Sequence, residues 1–229
     1  MSDGFPNKPK ILRGAFVEFG LSLPPLFVVF QFNPVQLTRG RALTFAMPGA
    51  PADPQRTPRQ IRAGFSNLLD LQKEQLVTVQ DQTVGFDIRL DATDRLDEGD
   101  TVTEHLGIGP QISTLELMTQ PKDETVLAQG ANRLLRGLDG FSFTRNSNPP
   151  LVLFVFGRKR VLPVNINSLT ITETEFSAEL NPVRATVTVS LTVIEGSSVP
   201  SRYTQAMTEV MSTIGLTHIT DMQNVVIPG

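Results

Sequence analysis

Between 183 and 193 every second residue is apolar. Val183, Ala185, Val187, Val189, Leu191 and Val193 alternate with Arg184, Thr186, Thr188, Ser190 and Thr192. Successive side chains on a strand point to opposite faces, so this period of two specifies an extended segment with one face in a core and the other outside it. A helix would scatter the same set around its circumference. Half-buried strands of this kind belong to antiparallel sheets. Burying the five apolar side chains from Ala185 to Val193 contributes on the order of 8–10 kcal/mol gross, before chain entropy is charged. Beyond Arg184 the outer face carries only small neutral hydroxyls.

The rest of the chain supplies partners for that strand. Residues 151–156 form a continuous apolar run behind Pro149 and Pro150, the pattern of a strand covered on both faces. Gly157-Arg158-Lys159-Arg160 then predicts a turn with a basic tip, and 161–172 continues extended, with Pro163 near its start. Segments 11–19, 26–32 and 84–90 predict further strands, and 37–45 gives a weaker signal. Few helices are expected. Gly109-Pro110 opens one, with Ile112, Leu115 and Met118 or Thr119 on one face and Pro121 as its stop. A second follows Pro200, where Tyr203, Ala206, Met207, Val210, Met211 and Ile214 share a face and Gly215 occupies a C-terminal capping position. Its apolar stripe is expected either in the core of the same domain, the slightly favoured reading, or as a docking face for a neighbouring subunit. Segments 48–62 and 123–150 look irregular, apart from a short helix at 126–135.

Composition narrows the chemistry. At 229 residues the chain can bury a core of its own, and it has no cysteine, which removes disulfides, thiol nucleophiles and thiolate metal sites. The first ten residues lack the apolar stretch of a secretory signal, and the most apolar run is too short to span a bilayer. A cytoplasmic protein is therefore expected. His105 and His218 are the only histidines, and neither accompanies a nucleophile motif. Gly107-Ile108-Gly109-Pro110-Gln111-Ile112 lacks the third glycine of a dinucleotide loop, and Pro110 removes an N–H that a phosphate would need; it predicts a helix entry. The carboxylates of 91–100 could ligate calcium from a flexible loop. Their spacing does not match a calcium-binding loop, Arg95 interrupts them, and a structural role is favoured. No cofactor is expected.

Charge is small in sum and uneven in place. The formal net charge is −3, so no global field draws nucleic acid or an anionic membrane. Residues 1–64 hold eight basic and three acidic side chains, whereas 70–104 holds ten acidic and three basic. Such a split is either solvated loops or, in a ring of identical copies, a basic edge that meets an acidic one. Arg158, Lys159 and Arg160, with Tyr203, Met207, Val210 and Met211, are the candidate subunit or partner contacts.

Several stretches in order resemble one family. Phe30-Gln31-Phe32-Asn33-Pro34, Leu90-Asp91-Ala92-Thr93-Asp94 and Gly107-Ile108-Gly109-Pro110 leading into Leu115-Glu116-Leu117-Met118 come first. Phe156-Gly157-Arg158-Lys159-Arg160-Val161-Leu162-Pro163-Val164, Ile171-Thr172-Glu173-Thr174-Glu175-Phe176 and Leu180-Asn181-Pro182-Val183-Arg184-Ala185 follow. The series, covering most of 11–195, is similar to tube-type baseplate proteins of contractile injection systems, the phage-tail-like particles. The resemblance implies a tube fold, in which two β-sheets pack with a short helix at the side. It also implies that copies join their sheets into one barrel around a channel. Such a protein would form a ring, a hexamer by resemblance, between the spike and the first tube layers, contacting tube proteins and baseplate or sheath components. Many members carry a C-terminal LysM-like linking module. Here about one helix and a tail follow Glu195.

The expectation is a mainly β, phage tail-tube-like sandwich or barrel over 1–195, with one short side helix and a helical extension over 196–229. Its role would be non-enzymatic: a tube initiator assembled into a contractile injection particle, with no specific nucleic-acid partner and no membrane insertion. In that setting Thr186, Thr188, Ser190 and Thr192 face the lumen, since hydroxyls bind water without gripping cargo by charge. The alternatives are the main inner-tube subunit and a β-sandwich binding module with an acidic calcium loop.

Overall fold

The computed structural model describes residues 12–20, 26–46, 57–121 and 148–215. Its centre is a seven-stranded sheet in which every neighbouring pair is antiparallel. Strands β1 (Ala15–Glu18), β2 (Phe27–Val29), β3 (Leu37–Gly40), β6 (Thr83–Asp91), β7 (Val152–Val155), β8 (Val161–Phe176) and β9 (Pro182–Val193) lie in the order β2-β1-β7-β8-β9-β6-β3. The alternating segment is β9, an interior strand of the sheet between β8 and β6. Ala185, Val187, Val189, Leu191 and Val193 are all buried, as the period of two requires. Both neighbours repeat the pattern: Val84, Phe86, Ile88 and Leu90 of β6 are buried beside them, and Ile166, Leu169 and Ile171 of β8 are packed against the same core.

The sheet is curled, and its phenylalanines show it. Phe86 on β6 stacks on Phe154 of β7 with ring centroids 4.9 Å apart, although β8 and β9 separate their strands. In a flat sheet three strand spacings would hold them about 14 Å apart. The sheet therefore bends around a cluster in which Phe16 and Phe30 meet edge to face at 5.2 Å. Ile112, Leu115 and Met118 add to this core from helix α5 (Gly109–Leu117) and its C-cap, beside β2. The expected side helix is thus present with the expected face. Among the described residues, the two packed sheets of the expected sandwich are instead one large sheet folded over, and it does not close into a barrel, because β2 and β3 are its two ends.

Two further differences have local causes. The weak strand signal at 37–45 is two strands, since the chain breaks at Arg41 and Ala42 before β4 (Leu43–Ala46), which pairs only with β5 (Leu76–Val79). The described residues contain more helices than the sequence suggests: α1 (Pro58–Ala63), α2 (Leu68–Glu74), α3 (Thr93–Asp97) and α4 (Thr101–Leu106) are all shorter than two full turns. Such pieces are too short to show a 3.6-residue stripe, and three of the four, all but α3, are set by side-chain caps. Thr57 and Gln60 form a capping box on α1, the Asn67 side chain accepts from the N–H of Leu69 on α2, and Asp100 caps α4. Residues 58–62, expected to be irregular, are helical for that reason. The helix expected at 126–135 lies outside the described residues.

Helix α6 (Val199–Gly215) follows β9 and lies along β8. None of its residues is buried. The favoured placement of its apolar stripe in the core is therefore wrong: Tyr203, Val210, Met211 and Ile214 are all more than two-fifths exposed. The side chains facing the sheet are mostly polar, Ser201 and Thr204 with Met207, so most of the apolar stripe stays outside the core.

Candidate functional site

The outer face of the sheet centre is built by three strands in register. Thr186, Thr188, Ser190 and Thr192 of β9 stand side by side, none of them buried. On one flank β8 sets Thr172, Thr170, Ser168 and Asn165 opposite them, and on the other β6 sets Arg89, Asp87, Gly85 and Thr83. The four predicted residues thus do share one open face, and β8 extends its hydroxyl character. Charge was missed. Asp87 accepts a hydrogen bond from Thr188 Oγ1 at 2.8 Å, so the face is a hydroxyl field with one carboxylate and one guanidinium along its β6 side. The signal was in the sequence, because 83–91 alternates as regularly as 183–193.

At one end of this face the Arg184 guanidinium joins the carboxylates of Asp91 and Glu175, tying β9 to both neighbours. Partial burial pushes the Asp91 carboxyl up. Hydrogen bonds from the Thr93 hydroxyl and N–H, with the hydrogen bond and charge of Arg184, outweigh it and hold Asp91 below the ordinary carboxylate value. The Asp91 N–H also donates to Gln31 Oε1 at 3.0 Å, fastening the chain after β2 to the end of β6.

The acidic stretch that begins here is not a loop. Residues 93–97 are helical, Asp91 is held by Thr93 and Arg184, and Asp100 accepts from the Val102 N–H and from Thr103 Oγ1 at 2.7 Å. Among the described residues no three or more carboxylate or histidine side chains gather as metal ligands. The calcium-loop alternative rested on free, convergent carboxylates, and these two are engaged in capping and pairing.

The second candidate set is brought together within one molecule. The turn after β7 places Gly157 at φ +71°, and the Phe156 N–H donates to Arg160 O at 2.9 Å. Tyr203 Oη donates to the carbonyl of Arg158 at 2.8 Å, Thr204 Oγ1 to that of Val161 at 2.9 Å, and Lys159 Nζ sits 3.3 Å from Met211 Sδ. The basic tip and the C-terminal helix therefore contact each other. Met207 is half-buried in that seam, and Arg160 lies half-buried at its end, whereas Val210 points outward. An ion pair between Arg41 and Glu195 lies on the neighbouring side of that seam.

No helix among the described residues is long and apolar enough to cross a membrane. No protein-family model matches the sequence, and none of the curated proteins matches it.

Proposed function

We propose that this chain is a structural, non-enzymatic subunit of a contractile injection particle, forming the baseplate ring that joins the spike to the inner tube and starts tube assembly. The observation that carries the proposal is the open, curled sheet. Among the described residues β2 and β3 each have a strand on one side only, which leaves two rows of backbone donors and acceptors at opposite ends of one sheet. Exposed edges of this kind invite pairing, and joining the edge of one copy to that of the next satisfies them in a closed ring.

The remaining features fit that use. A ring closed through β2 and β3 has a core face and an open face on each copy. The open face carries Thr170, Thr172, Thr186, Thr188 and Ser190, a surface that hydrates well and presents no apolar or strongly charged grip to passing cargo. Asp87 and Arg89 add one charge of each sign, which cancel at a distance beyond the Debye length. The ordered motifs of the resemblance supply the particle, the hexameric ring and the neighbours, namely spike, tube and baseplate or sheath proteins. The short helices α1 and α2 and the exposed α6 favour a single specialised layer over the repeating tube subunit.

Electron microscopy of particles from a strain lacking the chain tests this directly. No complete particles are expected. Normal, fully contractile assemblies from such a strain would overturn the proposal.

A further inference from the structure

The seam between the basic turn and α6 opens into a groove of about 1150 Å³ at one end of the sheet. Its bottom is apolar, formed by the buried Leu162 and Val193, and Leu12, Phe156, Met207 and Met211 stand above it with part of each side chain open to solvent. Along α6 the groove runs from Ser201 to Met211, roughly 15 Å at the rise of a helix. That length matches about five residues of extended chain or three turns of helix. Methionine walls adapt to side chains of different shape, which suits a groove that takes a peptide.

The charge around the groove is predominantly positive. Arg39 and Arg41 line it from the β3 side of the sheet, and Arg158, Lys159 and Arg160 line it from the turn after β7, on the other side of β9. Glu195 is the one acidic residue of the lining, and Arg41 engages it. The flanking residues do not change the sum: Arg13 and Arg202 are offset by Asp81 and Glu209, and Glu209 accepts from Gln205 Nε2 at 3.1 Å. Helices α1 and α2, which do not line the groove, carry Arg59, Arg62 and Lys73 against Asp70 and Glu74. A surplus of four positive charges therefore surrounds an apolar cleft, on a chain whose net charge is −3. Arg39, Arg158 and Arg160 form no ion pair among the described residues.

The chain itself holds no matching segment. The residues before Leu12 carry Lys8 and Lys10 against Asp3, and those after α6 carry a single carboxylate, Asp221. The acidic residues of 94–104 sit on short helices, interrupted by Arg95 and anchored by the buried Thr103, so a second copy offers a broad surface where the groove admits a narrow one. A nucleic-acid strand would set phosphates over an apolar floor with Phe156 as the one ring to stack on, and a fatty acid would bring one anionic group to five cations.

We propose that the groove binds an acidic segment of a different protein, about five to ten residues long. Its apolar side chains enter between Phe156, Met207 and Met211, and its carboxylates meet Arg39, Arg158, Lys159 and Arg160. The inference goes beyond the ring and does not depend on it, because the turn and α6 that wall the groove are not the ends of the sheet.

Selection from a library of random short peptides on the purified full chain tests this, followed by fluorescence anisotropy of the enriched peptides. Two variants serve as references. Arg158→Glu combined with Lys159→Glu reverses the charge of an exposed turn, and Met211→Ser removes part of an apolar wall; far-ultraviolet circular dichroism should match wild type for both. The enriched peptides are expected to combine carboxylates with large apolar side chains and to bind wild type more weakly as salt is raised. They should lose about tenfold or more in affinity for the charge variant and about threefold or more for Met211→Ser. No enrichment, enriched peptides without carboxylates, or equal binding to the variants would each overturn the inference. Single-stranded DNA or phosphatidylglycerol vesicles that bind wild type, fail on the charge variant and outcompete the peptides would assign the groove to phosphate and overturn it as well. Self-association of wild type that the charge variant abolishes would assign the groove to a second copy, with the same consequence. Rings are scored separately by electron microscopy: rings without peptide binding remove the groove proposal alone, and peptide binding without rings removes the ring alone.

Discussion

Gly107 shows how one residue can hold two distant segments. Its φ is +56°, and a Cβ placed there would lie 2.0 Å from the carbonyl oxygen of Pro182, the same oxygen that accepts the Ile108 N–H at 2.8 Å. Backbone meets backbone at this point, so neither side can yield. Gly107→Ala should lose about 3 kcal/mol or more of stability in denaturant titration, from steric overlap plus left-handed strain. Gly109→Ala, at a helical site with open space, should be neutral or gain up to about 1 kcal/mol. Asp91 gives a pH-dependent counterpart. Its folded pKa lies below the ordinary value of 3.8, so its contribution is complete above that value and is lost as pH falls through the lowered folded one. Stability measured from pH 7 down to pH 2 should fall less steeply in Asp91→Asn than in wild type. Equal slopes would show that the Thr93 and Arg184 contacts do not persist in solution. The sequence displayed both residues only as members of short motifs, because the contacts that use them, with Pro182 and Arg184, come from about 75 and 93 positions away.

Among elements, β9 and α6 are opposites. β9 alternates strictly and is buried on one face along most of its length, so its place was legible from periodicity alone. α6 has an equally clear apolar stripe, of which only Met207 is even half-buried. Periodicity reports that a face needs cover and leaves open what covers it. The helix is held instead by side-chain to backbone hydrogen bonds from Ser201, Tyr203 and Thr204 to Ile194, Arg158 and Val161. Each such bond contributes about 0.5–1.5 kcal/mol net. A Tyr203→Phe, Thr204→Val double variant should therefore speed amide exchange in α6 while β9 amides keep their protection. Loss of protection in β9 as well would show that helix and sheet open as one unit. The short helices α1 to α4 escaped sequence reading for a different reason: a single turn or two has no period, and only caps such as Thr57 with Gln60 announce it.

At the scale of the molecule, the hydroxyl face and the two sheet ends carry the assembly proposal. The chain contains no cysteine, so Thr188→Cys introduces a single thiol on the open face. In assembled particles that thiol should react with a reagent small enough to enter the channel, and resistance to it would remove the lumen assignment. The sequence by itself determined most of the strands, the half-burial and polar outer face of β9 and the side helix α5, because each follows from a pattern within one local segment; β5 was not foreseen, and β7, expected to be covered on both faces, buries only Val152 and Phe154 fully. Only the tertiary structure decided that one sheet curls where two were expected, that Asp87 and Arg89 join the hydroxyl face, that the basic tip meets α6, and that Arg39 and Arg41 line the same groove as that tip. These depend on which strands become neighbours and how sharply the sheet bends around its phenylalanines, and such pairings join residues that no local pattern connects.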